Sequence, residues 1–253
     1  MTTMAHIIAI ANHKGGVGKT TSTLNIGAGL ARKGLRCLLV DLDPQANLSD
    51  ALGYEDVEVS VYDAITEKRN DLPIIQIGEG LDLAPSNLDL SVAEVELSGK
   101  TGREYFLKDL LEKVKSNYDY ILIDCPPSLG LLTINALTAC HEVYIPLDSQ
   151  YFSLKGLDKL TTILEQVQKR LNPTVAITGV FMTQFDTRTV VNRNIAAMVK
   201  QEYGSRLFST RIRKNIALVE APIQKLDIFS YDSKSNGAAD YLALTEEIIA
   251  HHA

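Results

Sequence analysis

The chain has 253 residues, 45% of them hydrophobic and 22% charged, with a net charge of −6. That balance excludes a disordered chain and a polytopic membrane protein, and the acidic total excludes a globally basic nucleic-acid binder. No segment reaches the ~20 apolar residues of a membrane-spanning helix, and no charged n-region leads into an apolar one, so a cytoplasmic protein is expected.

In chain order, short β-branched runs alternate with amphipathic stretches. Strands are predicted at 6–12, 35–41, 81–84, 118–124, 142–147, 175–182 and 207–212. Between and after them, helices are predicted at 19–33, 88–97, 103–117, 129–139, 154–171, 189–203 and 238–250, with Gly34 placed as the C′ residue of the first. The stretch 53–80 is ambiguous, and 57–61 reads either as a strand or as a loop edge. Repeated βα units imply an α/β fold: a mostly parallel twisted sheet with helices on both faces. Its length suits one large core, so 1–253 is expected to form a single domain.

Cys37, Cys125 and Cys140 form no C-x-x-C pair, so they imply neither a disulfide framework nor a zinc site, and they read as small buried side chains. Charge is distributed unevenly. Between 188 and 225 there are eight Lys/Arg (Arg188, Arg193, Lys200, Arg206, Arg211, Arg213, Lys214, Lys225) against Glu202 and Glu220, a local +6 on a remainder of −12.

Residues 12–21 read Asn-His-Lys-Gly-Gly-Val-Gly-Lys-Thr-Thr between a predicted strand and a predicted helix. Gly15, Gly16 and Gly18 free the backbone to turn its N–H groups onto an anion at a helix N-terminus, which is the logic of a P-loop phosphate cradle. Lys19 would reach the β- and γ-phosphates, and the Thr20 hydroxyl would ligate Mg²⁺. His13 stands where the usual loop has its first glycine, and Lys14 is a second lysine beside it.

Ligands of doubly wound sheets collect at the carboxyl ends of the strands. The second strand ends in Asp41-Leu42-Asp43-Pro44-Gln45, placing Asp43 just beyond a buried run. A carboxylate there can orient an attacking water or hold a metal-bound one, although a capping Asp before a Pro turn is the plainer alternative. The run Tyr120-Ile121-Leu122-Ile123-Asp124 is four hydrophobic residues and an acid, the Walker B pattern, and Asp124 would hold Mg²⁺ through water.

Lys14-Gly15-Gly16-Val17-Gly18-Lys19-Thr20-Thr21, Asp41-Leu42-Asp43-Pro44-Gln45 and Asp124-Cys125-Pro126-Pro127-Ser128-Leu129-Gly130 together resemble the deviant Walker A ATPases, the ParA/MinD group of P-loop NTPases. Pro85-Ser86-Asn87-Leu88, the block 183–189, Glu220-Ala221-Pro222 and the block 231–238 are similar to the ParA (Soj-like) branch, in order along essentially the whole chain. The resemblance implies an ATPase working on ATP and Mg²⁺. It implies that Lys14 crosses the interface of an ATP-dependent homodimer to the partner's phosphates, with Lys19 and Asp43 also catalytic. Asp43 would position water and approach the metal through water, Thr20 and Asp124 would serve the metal, and Asp41 would support the loop. The segment Lys14-Gly15-Gly16-Val17-Gly18-Lys19-Thr20-Thr21 and Met182, Arg213 and Asn215 would line the nucleotide.

Two departures stand out: Arg213 replaces a frequent proline beside the adenine, and Ala217 replaces a basic residue that relatives use on DNA. The +6 segment supplies phosphate contacts of its own, for which Arg188, Arg193, Arg211, Arg213 and Lys214 are the candidates, with Arg211 and Arg213 on one face of a strand. Binding to nonspecific DNA, association with the nucleoid and stimulation by a ParB-like centromere-binding protein are the implied partnerships. Rival readings are a ParA-like positioner of a protein cluster or of cellulose synthesis, and a MinD-like membrane-associated positioner. The second is disfavoured because the last thirteen residues hold acids and no Lys or Arg, which anionic lipid would repel. A nitrogenase-iron-protein-like carrier would need cluster cysteines, and a mere nucleotide sensor would lack Asp43 or Lys14.

Overall fold

The computed structural model describes residues 5–148, 152–186 and 188–253, with 152–157 described by backbone alone. Thr187 of the 183–189 block lies outside the described residues. The chain runs β1 (His6–Ile10), α1 (Lys19–Arg32), β2 (Cys37–Asp41), α2 (Asn47–Asp50), α3 (Val61–Ile65), β3 (Ile75–Gly78), β4 (Leu81–Ala84), α4 (Leu90–Leu97) and α5 (Phe106–Glu112). It continues with β5 (Tyr120–Asp124), α6 (Leu131–Ala139), β6 (Glu142–Asp148), α7 (Phe152–Arg170), β7 (Ala176–Phe185), α8 (Val190–Tyr203), β8 (Leu207–Arg213), α9 (Ala217–Ile223), α10 (Ile228–Tyr231) and α11 (Asn236–His251).

These strands form one sheet in the order β3-β4-β2-β5-β1-β6-β7-β8, parallel throughout except for the antiparallel edge pair of β3 with β4. Every residue of β2, β5 and β6 is buried, as it must be in a parallel sheet covered on both faces. Two apolar clusters lie on the opposite faces: Ile7, Ile121 and Val143 belong to one, and Ile8, Leu122 and Tyr144 to the other. The α/β fold with helices on both faces is therefore as the periodicity implied.

The differences are local. Segment 57–61 is not a strand: Ser60 and Asp63 close a capping box, and α3 begins at Val61. Edge strand β3 alternates half-buried and exposed residues over only four positions, too short a pattern to separate from a loop. The predicted helix 103–117 is shortened to α5 and a 3-10 turn at Lys115–Asn117. Strand β7 runs three residues further than predicted, to Phe185, which carries its polar end up to the glycine loop.

Pro146 sits inside β6 without breaking the sheet. Strand β1 pairs with β6 only as far as Tyr144, so the missing Pro146 N–H has no ladder partner to lose, and the Asn12 side chain donates to the Pro146 carbonyl at 2.8 Å. This bond fastens the start of the glycine loop to the end of β6.

Candidate nucleotide-binding site

Strands β1, β2, β5, β6 and β7 all deliver their carboxyl ends to one edge, and the 12–21 loop lies across it. Gly16 and Gly18 have φ of +73° and +88°, the left-handed region that a side chain resists, whereas Gly15 does not require it. Gly18 is also the N-cap of α1 and offers no side chain to its first turn, which leaves N–H groups there for an anion. Val17 is fully buried, and its carbonyl accepts the Thr183 hydroxyl at 2.8 Å, so it shapes the loop from below and does not line the cleft. On the other side, Gln184 donates from Nε2 to the Gly16 carbonyl at 2.6 Å while its own backbone is left-handed at φ +49°.

The cleft has a volume of about 660 Å³ and is lined by Gly15, Gly16, Gly18, Lys19, Thr20 and Thr21 together with Asp43, Asn47, Gln184 and Lys225. Lys19 is only 7% exposed, and its ammonium donates to the Lys14 carbonyl at 3.3 Å. Burial holds its pKa below the ordinary lysine value, against the pull of Asp124 and Asp43. The Thr20 hydroxyl donates to Asp124 Oδ2 at 2.7 Å. Asp124 is wholly buried: burial, followed by the neighbouring charge of Asp41, pushes its carboxyl up despite the Thr20 bond and Lys19.

Asp41 is wholly buried as well, and its role is support. Its Oδ2 accepts the Ser49 N–H at 2.9 Å and the Ser49 hydroxyl at 2.7 Å, and its Oδ1 accepts the Asp43 N–H at 3.2 Å. Asp43 follows two residues later at the rim, where it accepts the Gln45 N–H at 3.0 Å. Apart from the Lys14–Asp148 pair at the end of β6, the three carboxylates Asp41, Asp43 and Asp124 thus share the edge with the buried Lys19 ammonium. A set of hard oxygen donors short of positive charge is what a divalent cation fits, and Thr20 and Asp124 are the adjacent pair that would hold Mg²⁺.

Lys14 is held elsewhere, with Nζ 2.5 Å from Asp148 Oδ2 at the end of β6. A smaller cavity of about 200 Å³ adjoins the cleft through Gly18, Thr21 and Gln184, and Asn215 lines it beside Arg213, Ile212 and Leu218. Asn215 Oδ1 accepts the Ala217 N–H at 2.8 Å and so caps α9. Met182 is a correction: it is 1% exposed in the core cluster beneath the sheet, because it precedes Thr183 on the opposite side of the strand, and it lines neither cavity.

Arg213 is a second correction. Its guanidinium is bonded to Asp240 of α11, with Nη2 2.6 Å from Oδ1, so it is withdrawn from the DNA-facing set even though the residue borders the small cavity. Arg211 does not join Arg213 on Asp240. The register between β7 and β8 slips between Met182 and Phe185, and Arg211 instead lies over the Phe185 ring at 4.6 Å. Arg188 is exposed beside Asp186, to which its Nη2 is bonded at 2.9 Å, while Arg193 on α8 and Lys214 after β8 are exposed. Gln184, Lys225 and Asp148 went unassigned from sequence. The polar pair Thr183-Gln184 ending an apolar strand was the available signal for the first, whereas Lys225 and Asp148 had none nearby. All three cysteines are buried thiols.

The family profile described as an AAA domain matches residues 5–177. The sporulation initiation inhibitor protein Soj of Bacillus subtilis (strain 168) is 47% identical over 252 residues, covering 98% of this chain and 100% of that protein. The chromosome-partitioning ATPase Soj of Treponema pallidum (strain Nichols) is 44% identical, with 98% of each chain covered. Among solved structures, cobyrinic acid a,c-diamide synthase from Mycobacterium smegmatis with bound ATP analogue and magnesium superposes with a TM-score of 0.86 at 35% identity, covering 98% of this chain and 96% of that one. With its glycine loop, its Thr20–Asp124 pair and Asp43 gathered on one sheet edge, the chain belongs to the Soj- and ParA-type family of partitioning ATPases.

Proposed function

We propose that the chain hydrolyses ATP with Mg²⁺ to drive a DNA-partitioning cycle: an ATP-dependent sandwich dimer binds nonspecific DNA, and a ParB-like partner stimulates hydrolysis and release. The observation that carries this reading is the convergence of Lys19, Thr20 and Asp43 on one 660 Å³ cleft under a glycine loop, with Asp124 buried behind the Thr20 hydroxyl that it accepts. The loop's N–H groups and Lys19 bind the phosphates, and burial of Lys19 strengthens that contact by removing competing water. A bound Mg²⁺ would offset phosphate charge as the γ-phosphoryl departs. Asp43 stands at the rim, where a carboxylate can align a water with the γ-phosphate, and Asp41 fixes that loop by its bonds to Ser49 and to the Asp43 N–H. Lys14, brought by a second copy, would add positive charge as negative charge accumulates.

For DNA, the exposed Arg193, Arg211 and Lys214 support a phosphate-reading face without base preference. The C-terminal helix α11 carries no Lys or Arg, which supports a nucleoid-bound, cytoplasmic protein over a lipid-bound one. Among the described residues no helix is long and apolar enough to cross a membrane.

Replacing Asp43 by Ala tests the hydrolytic claim. Phosphate release should fall to background while an ATP-bound dimer persists in gel filtration, and normal turnover would refute the reading. Gel-shift titration with ATP across a salt series tests the DNA claim, since binding should weaken steeply with salt and neutralising Arg211 and Lys214 should weaken it further. Unchanged binding after that neutralisation would remove the proposed face.

A further inference from the structure

The two lysines of the glycine loop have different fates in a single copy of the chain. Lys19 is anchored within the loop, on the Lys14 carbonyl. The Lys14 ammonium leaves the loop and reaches the last residue of the neighbouring strand, Asp148, at 2.5 Å. Asp148 is well buried, its side chain 5% exposed, whereas that of Lys14 is 30% exposed, so the carboxylate is fixed and the cation is the movable member. The backbone on both sides is also fixed: Asn12 donates from Nδ2 to the Pro146 carbonyl at 2.8 Å and accepts the Lys14 N–H on Oδ1 at 3.0 Å. The base of Lys14 is thereby held beside β6, and only its four-carbon stem has to swing for the charge to travel.

We infer that Asp148 is a positioning residue for Lys14, holding its ammonium on its own subunit until a second copy presents a nucleotide. The inference rests on the dimeric reading above. One ammonium cannot stay within 2.5 Å of its own Asp148 and also sit on phosphates of another subunit, so each Lys14 delivered across an interface exchanges one ion pair for another. Such an exchange is nearly balanced where the protein supplies the carboxylate, and the phosphates' greater negative charge drives it. The consequence is a threshold: dimers form only when a triphosphate competes successfully with Asp148, which suppresses assembly of nucleotide-free chains carrying two unscreened lysines.

Two measurements on the full chain test this. In the nucleotide-free protein, acylation of Lys14 by a water-soluble succinimidyl ester, followed by peptide mass spectrometry, should be several-fold faster in Asp148→Asn than in wild type while Lys19 labelling is unchanged. Equal Lys14 labelling in the two proteins overturns the ion pair. With ATP and Mg²⁺ in the Asp43→Ala background, the protein concentration at half-dimerisation in sedimentation velocity should fall about fivefold on adding Asp148→Asn, the size expected when each of the two subunits loses one partly exposed ion pair. That drop should vanish when Lys14→Gln is also present, which a merely structural role for Asp148 would not produce. An unchanged or raised midpoint in Asp148→Asn overturns the latch while leaving the dimeric reading intact. Absence of any ATP-dependent dimer in the Asp43→Ala protein overturns both.

Discussion

Buried carboxylates sit at both ends of the sheet, and their surroundings differ in kind. At the carboxyl ends of the strands, Asp124 and Asp41 lie side by side with Lys19, itself short of solvent, and burial pushes both carboxyls up. At the amino ends, Glu142 opens β6 and accepts bonds from His252 Nε2 at 2.9 Å and the Thr178 hydroxyl at 2.8 Å, with His6 Nδ1 at 3.4 Å. Burial would raise Glu142 too, but the His252 and Thr178 bonds outweigh it and the carboxyl is held down at about 2. The Tyr120 hydroxyl faces His252 Nδ1 at 3.0 Å, which fits a ring that donates to Glu142 through Nε2. One end is satisfied by its own side chains. The other leaves its charge to be balanced from outside, and that imbalance is the signature of a site built for a cation and a polyphosphate.

If this contrast is right, substitutions at the two ends must separate activity from stability. The largest effect is expected from Asp124→Asn, which should lower ATP turnover by about 100-fold or more in a phosphate-release assay. The same variant should leave the melting temperature of the nucleotide-free chain unchanged or raised, because burial already disfavours the ionised carboxyl at that position. A clear loss of stability would break the contrast.

Glu142→Gln should do the reverse. It puts an amide where three donors converge and should lower unfolding free energy by about 3 kcal/mol in a denaturant titration, while turnover per folded molecule is kept. The stability gap between wild type and Glu142→Gln should also depend on pH in a known direction. A carboxyl held near 2 when folded, against an ordinary 4.5, contributes fully above about pH 4.5 and loses that contribution as pH falls towards 2. A gap that widens on acidification would contradict the network. The smallest effect belongs to Gly16→Ala, where φ of +73° with open space around the position leaves only backbone strain, about 1 kcal/mol on thermal unfolding.

The same contrast separates what could be read from sequence. The candidate site could be proposed from sequence because its parts are local strings at strand ends: a glycine loop, Asp41-Leu42-Asp43-Pro44, and an acid after four apolar residues. The Glu142 network was illegible because its partners lie 136 and 110 residues away and each looks ordinary alone, a histidine starting a strand and a histidine near a terminus. Met182 and Arg213 failed for a related reason: Met182 takes the core side of β7 and Arg213 reaches Asp240 of α11, and both partners are set by tertiary packing.

The sequence by itself determined the alternation of strands and helices, the parallel covered sheet and the identity of the phosphate loop, since these follow from periodicity and from backbone freedom at fixed spacing. Tertiary structure alone decided where the long charged side chains go: Arg213 to Asp240, Lys225 to Asp50 and Lys14 to Asp148. A flexible cationic stem can reach any carboxylate within several ångströms, and only the packed sheet determines which carboxylate that is.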